Sequence, residues 1–346
     1  MHSYAFWNNK GGVGKSFLCF TAACQLAYEK RDSDIYVIDI CPQANVSETL
    51  LGGFAPEDPP IQQLANQRPR RTIAGYLEAR LSNPFQNISQ EEISRFVSHP
   101  YRTNRKIPEN LYLVAGDNLL EILSEAIRQT SALPIPSDAW KRVLEWVRDL
   151  AKGLASRSGD RDAYILIDCN PSFAIYTQQA LVAADNVVIP FTADDSSRRG
   201  IENVMALLYG QGQGVVAEYA KINFARRAEN EGVETPLMHT FVSNRVTLYG
   251  DTASRAFRIA AKTIKDTVTK MAKAHPSLFV SRPRDLEHGF VEVPDYHSAC
   301  IVSTMTGTPI HRLRPGPRVI NGERVQLNPD PLDRYKTALS QFTSRL

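Results

Sequence analysis

Residues 10–16 read K-G-G-V-G-K-S, a row with the chemistry of a phosphate cradle. Gly11, Gly12 and Gly14 let the backbone curl around phosphate oxygens with no Cβ in the way. A helix starting at Lys15 turns free N–H groups and the positive end of its dipole toward the same oxygens. In such a loop Lys15 reaches the β- and γ-phosphates of a nucleotide, and the Ser16 hydroxyl ligates Mg²⁺. Two features are unusual. The common pattern G-x-x-x-x-G-K-[ST] places glycine at position 9, where this chain has Asn9. A second lysine, Lys10, stands just before the glycine pair, where a solvated loop lysine would also be ordinary.

A phosphate loop needs a strand before it and a helix after it. Residues 3–8 read as a buried strand, 15–30 as a helix and 34–40 as a second strand rich in β-branched residues. This is the opening of a parallel α/β fold. A Pro-, Gly- and Gln-rich loop is expected over 52–71, with helical pieces near 72–80 and 90–98. A strand over 110–116 leads to a helix over 117–129 with Asp117 as N-cap. Another amphipathic helix, capped by Ser137 or Asp138, fits 137–154. The apolar runs 162–168 and 185–190 suit strands buried on both faces. A helix over 197–208, a strand over 236–244 and a long helix over 251–274 follow. Asn321-Gly322 between alternating runs predicts a type I′ hairpin, and a helix closes the chain. The fold class expected is α/β: one P-loop domain over 1–346, a mostly parallel twisted sheet flanked by helices, with a C-terminal hairpin and helix over 311–346.

The bulk composition sets few limits. The 346 residues are 43% hydrophobic and 22% charged, with a net charge of +3, so any basic patch must be local. Five cysteines without a CxxC pair suit a reducing compartment. No leader pattern opens the sequence and no apolar run reaches the ~18 residues of a membrane span. The expectation is a cytoplasmic protein with no membrane partner.

N-K-G-G-V-G-K-S (9–16) resembles the deviant Walker A motif of the ParA/MinD family of ATPases. The stretch 36–53, with D-I-C-P-Q, is similar to the family's Walker A′ segment, and 162–172 to its Walker B. Residues 180–204 resemble the strand and helix that follow; 52–160 matches loosely. The resemblance implies ATP and Mg²⁺ as cofactors. It implies nucleotide contacts from Lys10, Gly11, Gly12, Val13, Gly14, Lys15, Ser16 and the Phe17 N–H, and an adenine contact from Asn244. An Asn that simply caps a strand end is the plainer reading of Asn244. Lys10 would reach across an ATP-sandwiched homodimer to the partner's nucleotide. Asp39 and Asp168, with Ser16, would serve the metal, and Lys10, Lys15, Asp39 and the residue at position 41 the chemistry. The chain departs from the family there: Cys41 stands where D-x-D-P-Q has its second aspartate, which helps position the attacking water. Phe17 replaces a usual threonine, and Asn170 a common proline. Slow hydrolysis is therefore expected.

The family binds DNA without sequence preference through basic residues. Arg255, Arg258, Lys262, Lys265, Lys270 and Lys273 fall within one arc of the helix over 251–274, which is also what an ordinary solvated face looks like. The implied function is a ParA-like ATPase that binds DNA, associates with the nucleoid, positions or segregates cargo and answers to a ParB-like or other activating partner. The alternative is a nucleotide-gated binding module with little or no hydrolysis that assembles a partner complex. Leu332, Tyr335, Leu339 and Phe342 have the spacing of a membrane-binding tail, but suit a helix packed on the sheet better. Cys41 and Cys169 lie by the phosphate site, where small buried hydrophobes are the simpler reading than cluster ligands.

Overall fold

The computed structural model describes residues 1–55, 57–212, 214–246, 248–249, 252–253 and 255–346. Seven strands form one parallel sheet: β1 (His2–Phe6), β2 (Ser33–Ile40), β3 (Leu111–Val114), β4 (Asp162–Cys169), β5 (Asn186–Phe191), β6 (Leu237–Val246) and β7 (Phe290–Pro294). Their order is β3-β2-β4-β1-β5-β6-β7. Crossover helices cover both faces, which explains why the strands are apolar at successive positions rather than alternating.

The alternation survives as a division between two cores. Ile35, Val37, Tyr164 and Leu166 pack on one face with α1 (Lys15–Glu29) and the C-terminal helix α5 (Pro329–Thr343). Tyr36, Ile38, Ile165 and Ile167 pack on the other, beneath helices Ile73–Ser82, Trp146–Arg157 and Ile175–Ala183. Leu332, Tyr335, Leu339 and Phe342 are all buried in the first core, so the apolar stripe of the tail is spent on the sheet. Among the described residues no helix is long and apolar enough to cross a membrane.

Several expectations needed correction. The stretch 52–71 contains a short helix, Pro60–Ala65, with proline at its first position, where a missing N–H is harmless. The helix expected over 137–154 is two, Ala139–Leu144 and Trp146–Arg157, meeting at Glu145. Asp138 bonds the Arg142 guanidinium instead of capping. Asp117 does accept the Leu119 N–H, but its carboxylate is chiefly tied to Arg70 and Thr72. The helix expected from 251 is α4 (Arg255–Ala274); its expected first residue lies outside the described residues. The hairpin forms as expected: 316–320 pairs with 323–327, and Asn321 and Gly322 both have positive φ, 51° and 83°.

Candidate nucleotide site

The sheet delivers the site by register. Asp39, next to last in β2, lies directly beside Asp168 in β4, and Asp168 lies beside Phe6 at the end of β1. Both carboxylates follow the parity of Ile35, Val37, Tyr164 and Leu166, toward α1. The loop leaving β1 carries Lys10 to Gly14. Gly12 (φ 74°) and Gly14 (φ 91°) adopt the left-handed conformation that favours glycine. No side chain caps the N-terminus of α1 and no acid stands in its first turn, which leaves that end suited to an anion.

Lys15 is buried, and its ammonium donates to the carbonyl oxygens of Lys10 (2.8 Å) and Asn8 (3.3 Å). Burial pulls its pKa down, while Asp168, Cys169 and Cys41 work against that. Asp168 is fully buried and neither of its oxygens meets a donor at good hydrogen-bond geometry, although the Ser16 hydroxyl is close enough to act on it. Burial and the adjacent Asp39 push its pKa far up, against the nearby Ser16 hydroxyl and Lys15. Asp39 differs. Its Oδ1 accepts the Cys41 N–H (3.1 Å), and its Oδ2 accepts the Ser47 N–H (3.1 Å) and hydroxyl (2.6 Å). Burial still raises its pKa, partly offset by these donors. Ser47, in α2 (Asn45–Leu50), also receives the Gly116 N–H (2.9 Å). Asp39 thus fastens the turn that carries Cys41.

Cys41 is 7% exposed. Burial, then Asp39 and Asp168, push its thiol up to about 12, so it is a neutral thiol near pH 7. Cys169 points to the opposite core, and both cysteines are free. Among the described residues no three His, Cys, Asp or Glu side chains gather to hold a metal by themselves. The donor set instead fits Mg²⁺ bound through nucleotide phosphates and one or two protein oxygens. The buried Asp168 carboxylate and the Ser16 hydroxyl are side-chain oxygens that could hold it.

Asn244 donates to the Val13 carbonyl (3.0 Å) and packs so closely on Gly14 that a Cβ there would collide with its amide. Phe17 stacks on Tyr335 (6.3 Å between centroids). Together with Tyr296 and Cys300 these residues line a small pocket beside the loop.

Lys10 is not a free loop lysine. Its ammonium contacts Asp194 (2.6 Å), Thr192 (3.0 Å) and Ser197 (3.1 Å). These residues lie at the start of α3 (Asp195–Tyr209), where Asp194 is the N-cap. Partial burial would raise the Asp194 pKa; Lys10, Thr192, Ser196 and Ser197 override it and hold the carboxyl well below its usual range. The run T-A-D-D-S-S at 192–197 signals a helix start; nothing in it points to Lys10.

On α4, Arg255, Arg258, Lys262, Lys270 and Lys273 are exposed, with one acid, Asp266, on the helix. Lys265 departs from the expected row: it pairs with Glu292 (3.4 Å) and lies over Phe290.

A family model described as an AAA domain, AAA_31, matches residues 1–210. A chromosome partitioning protein ParA of Myxococcus xanthus is 26% identical over 199 residues, covering 57% of this chain and 54% of that one. An uncharacterized protein of Pseudomonas putida is 26% identical over 206 residues, covering 58% of this chain and 60% of that one. The chain therefore matches less than two thirds of the length of these relatives. The ATP complex of a Cyanothece McdA variant superposes with a TM-score of 0.58 at 14% identity, covering 99% of this chain and 96% of that one; at that identity the likeness shows the fold. With the matched model spanning the loop, both carboxylate strands and the start of α3, the chain belongs to the AAA_31 family of P-loop ATPases, of ParA/MinD type.

Proposed function

We propose that this protein binds Mg²⁺ and ATP at the 10–17 loop, pairs as an ATP-sandwiched homodimer, and in that form binds DNA without sequence preference to position or segregate cargo. The observation that carries the nucleotide reading is the juxtaposition of an uncapped helix N-terminus, a buried Lys15 and a buried Asp168 with no well-formed hydrogen bond on its oxygens. Lys15 leaves two backbone carbonyls for the β- and γ-phosphates, a charge-assisted contact in a dry site. Ser16 and Asp168 hold the metal, which when bound neutralises phosphate charge. Asp39 keeps the 41–47 turn in place. The Phe17 N–H serves the α-phosphate. Asn244 reads adenine once its amide leaves Val13. The relatives support this reading by name: one is a partitioning ParA and one was solved with ATP.

The DNA reading rests on the exposed row of α4. Contacts from such a face go to phosphates and weaken with salt. Lys265, held by Glu292, contributes less than its neighbours. A cytoplasmic, nucleoid-associated protein answering to a ParB-like activator follows from the same reading.

Cys41 favours the second reading, a nucleotide-gated module with little hydrolysis. A carboxylate aligns an attacking water by accepting its hydrogen bond. A protonated thiol is a weak acceptor, and the residues around Cys41 keep it protonated. Asp39 is a poor substitute because three donors already occupy it.

Three outcomes are expected. Lys15→Ala weakens ATP binding about 100-fold in calorimetry; unchanged affinity removes the phosphate-loop assignment. Arg255, Lys262 and Lys273 all changed to Glu abolish retardation of long duplex DNA in the presence of ATP. The wild type's log affinity falls steeply with log salt, and a wild type that never retards such DNA at low salt contradicts the DNA reading. Cys41→Asp hydrolyses ATP at least about tenfold faster than wild type in single turnovers. Equal rates in protein that still dimerises would show that position 41 does not limit the chemistry.

A further inference from the structure

Lys10 is the group through which the proposed dimer senses a partner's nucleotide, yet here its ammonium is held inside its own subunit. Nζ donates to Asp194 Oδ1 (2.8 Å) and Oδ2 (2.6 Å), to Thr192 Oγ1 (3.0 Å) and to Ser197 Oγ (3.1 Å). Each acceptor is itself fixed. Asp194 Oδ1 accepts the Ser197 N–H (2.8 Å) as helix cap, Ser197 Oγ accepts the Thr192 N–H (3.1 Å), and the Thr192 hydroxyl donates to Asp194 (2.6 Å). The loop is anchored at the same place. Asn8 donates to the Pro190 carbonyl (2.8 Å) and accepts the Lys10 N–H (3.1 Å). At Gly200 of α3 a Cβ would come within 2.7 Å of Asn8 Oδ1. The cage is therefore built, and it is tuned to one ammonium. It also has an exit: the Lys10 side chain is 24% exposed and borders a groove of about 1030 Å³ between α3 and α4.

We propose that Asp194, with Thr192 and Ser197, is a latch that holds Lys10 in cis, and that a partner's nucleotide must outcompete it before the dimer closes. The proposal rests on the trans role of Lys10 given above. One ammonium cannot satisfy the latch and the partner's phosphates together, so the two are competing equilibria. The triphosphate of ATP, with its extra charge, competes with a single carboxylate better than ADP does. The latch thus raises the threshold for dimerisation and widens the difference between the two nucleotides. Asp194 acts through Lys10 and is a positioning residue.

The test compares wild type, Asp194→Asn, Thr192→Val and Lys10→Ala by sedimentation over a range of protein concentrations, with ATP and with ADP. Asparagine keeps the helix cap and removes the charge. Two latches open per dimer, so Asp194→Asn is expected to dimerise with ATP at about one tenth of the wild-type concentration. Thr192→Val shifts in the same direction by less, and Lys10→Ala stays monomeric. If wild type dimerises with ATP, Lys10→Ala does not, and neither Asp194→Asn nor Thr192→Val needs less protein, the latch is overturned and the trans role stands. If wild type fails to dimerise, or Lys10→Ala dimerises as wild type does, the trans role is overturned and the latch with it. A second readout is the ¹⁵N lysine-ammonium spectrum. A slowly exchanging Nζ signal in nucleotide-free wild type, missing in Lys10→Ala and in Asp194→Asn, is expected; its absence from wild type overturns the latch.

Discussion

Two carboxylates, Asp39 and Asp168, lie side by side in neighbouring strands, fully buried, and the surroundings divide the burden of holding them there. Like charges at that spacing, out of water, oppose each other's ionisation. The protein treats the two differently. Asp39 is given three donors and becomes part of the scaffold, closing the turn through Cys41 to Ser47. Asp168 has no well-formed hydrogen bond on either oxygen. Its charge is met by Lys15 and the nearby Ser16, both from the start of α1. That asymmetry is what the proposed cation role of Asp168 rests on, while Asp39 fastens the turn beside it.

Everything else in the site is placed by the same end of the sheet. β1 feeds the loop, β2 the Cys41 turn, β4 Asp168 and β5 the start of α3. α3 begins at the cage around Lys10 and packs along α4, so one helix touches both the loop and the helix that carries the basic row.

Much of this was legible in the sequence. The loop, its flanking strand and helix, and the two carboxylate strands announce themselves by glycine spacing and by apolar runs buried on both faces. Asn321-Gly322 declared the hairpin through its demand for positive φ. Four things were not legible. Ser47 sits in an unremarkable polar stretch, and its role depends on Asp39 being folded against it. Thr192, Asp194 and Ser197 look like helix-start residues, which they also are; only the packing of α3 on the loop brings Lys10 to them. β7 has only two buried positions, Val291 and Val293, and the parallel pairing that defines it is a tertiary fact. Lys265 fell in the right arc of its helix, but the arc cannot show that Glu292 waits on a neighbouring strand.

The claim that Asp168 is buried without partners for the sake of a nucleotide-bound cation is tested most directly by thermal unfolding of wild type and Asp168→Asn, each with and without saturating Mg²⁺ and ATP. Because burial and Asp39 raise the Asp168 pKa, folding at neutral pH must either protonate this carboxyl or bury its charge, and asparagine removes that cost. The account predicts that Asp168→Asn unfolds at a higher temperature than wild type without nucleotide, and that Mg²⁺ with ATP raises wild type above the variant. A variant less stable than wild type without nucleotide, or one stabilised by Mg²⁺ and ATP as much as wild type is, would contradict it.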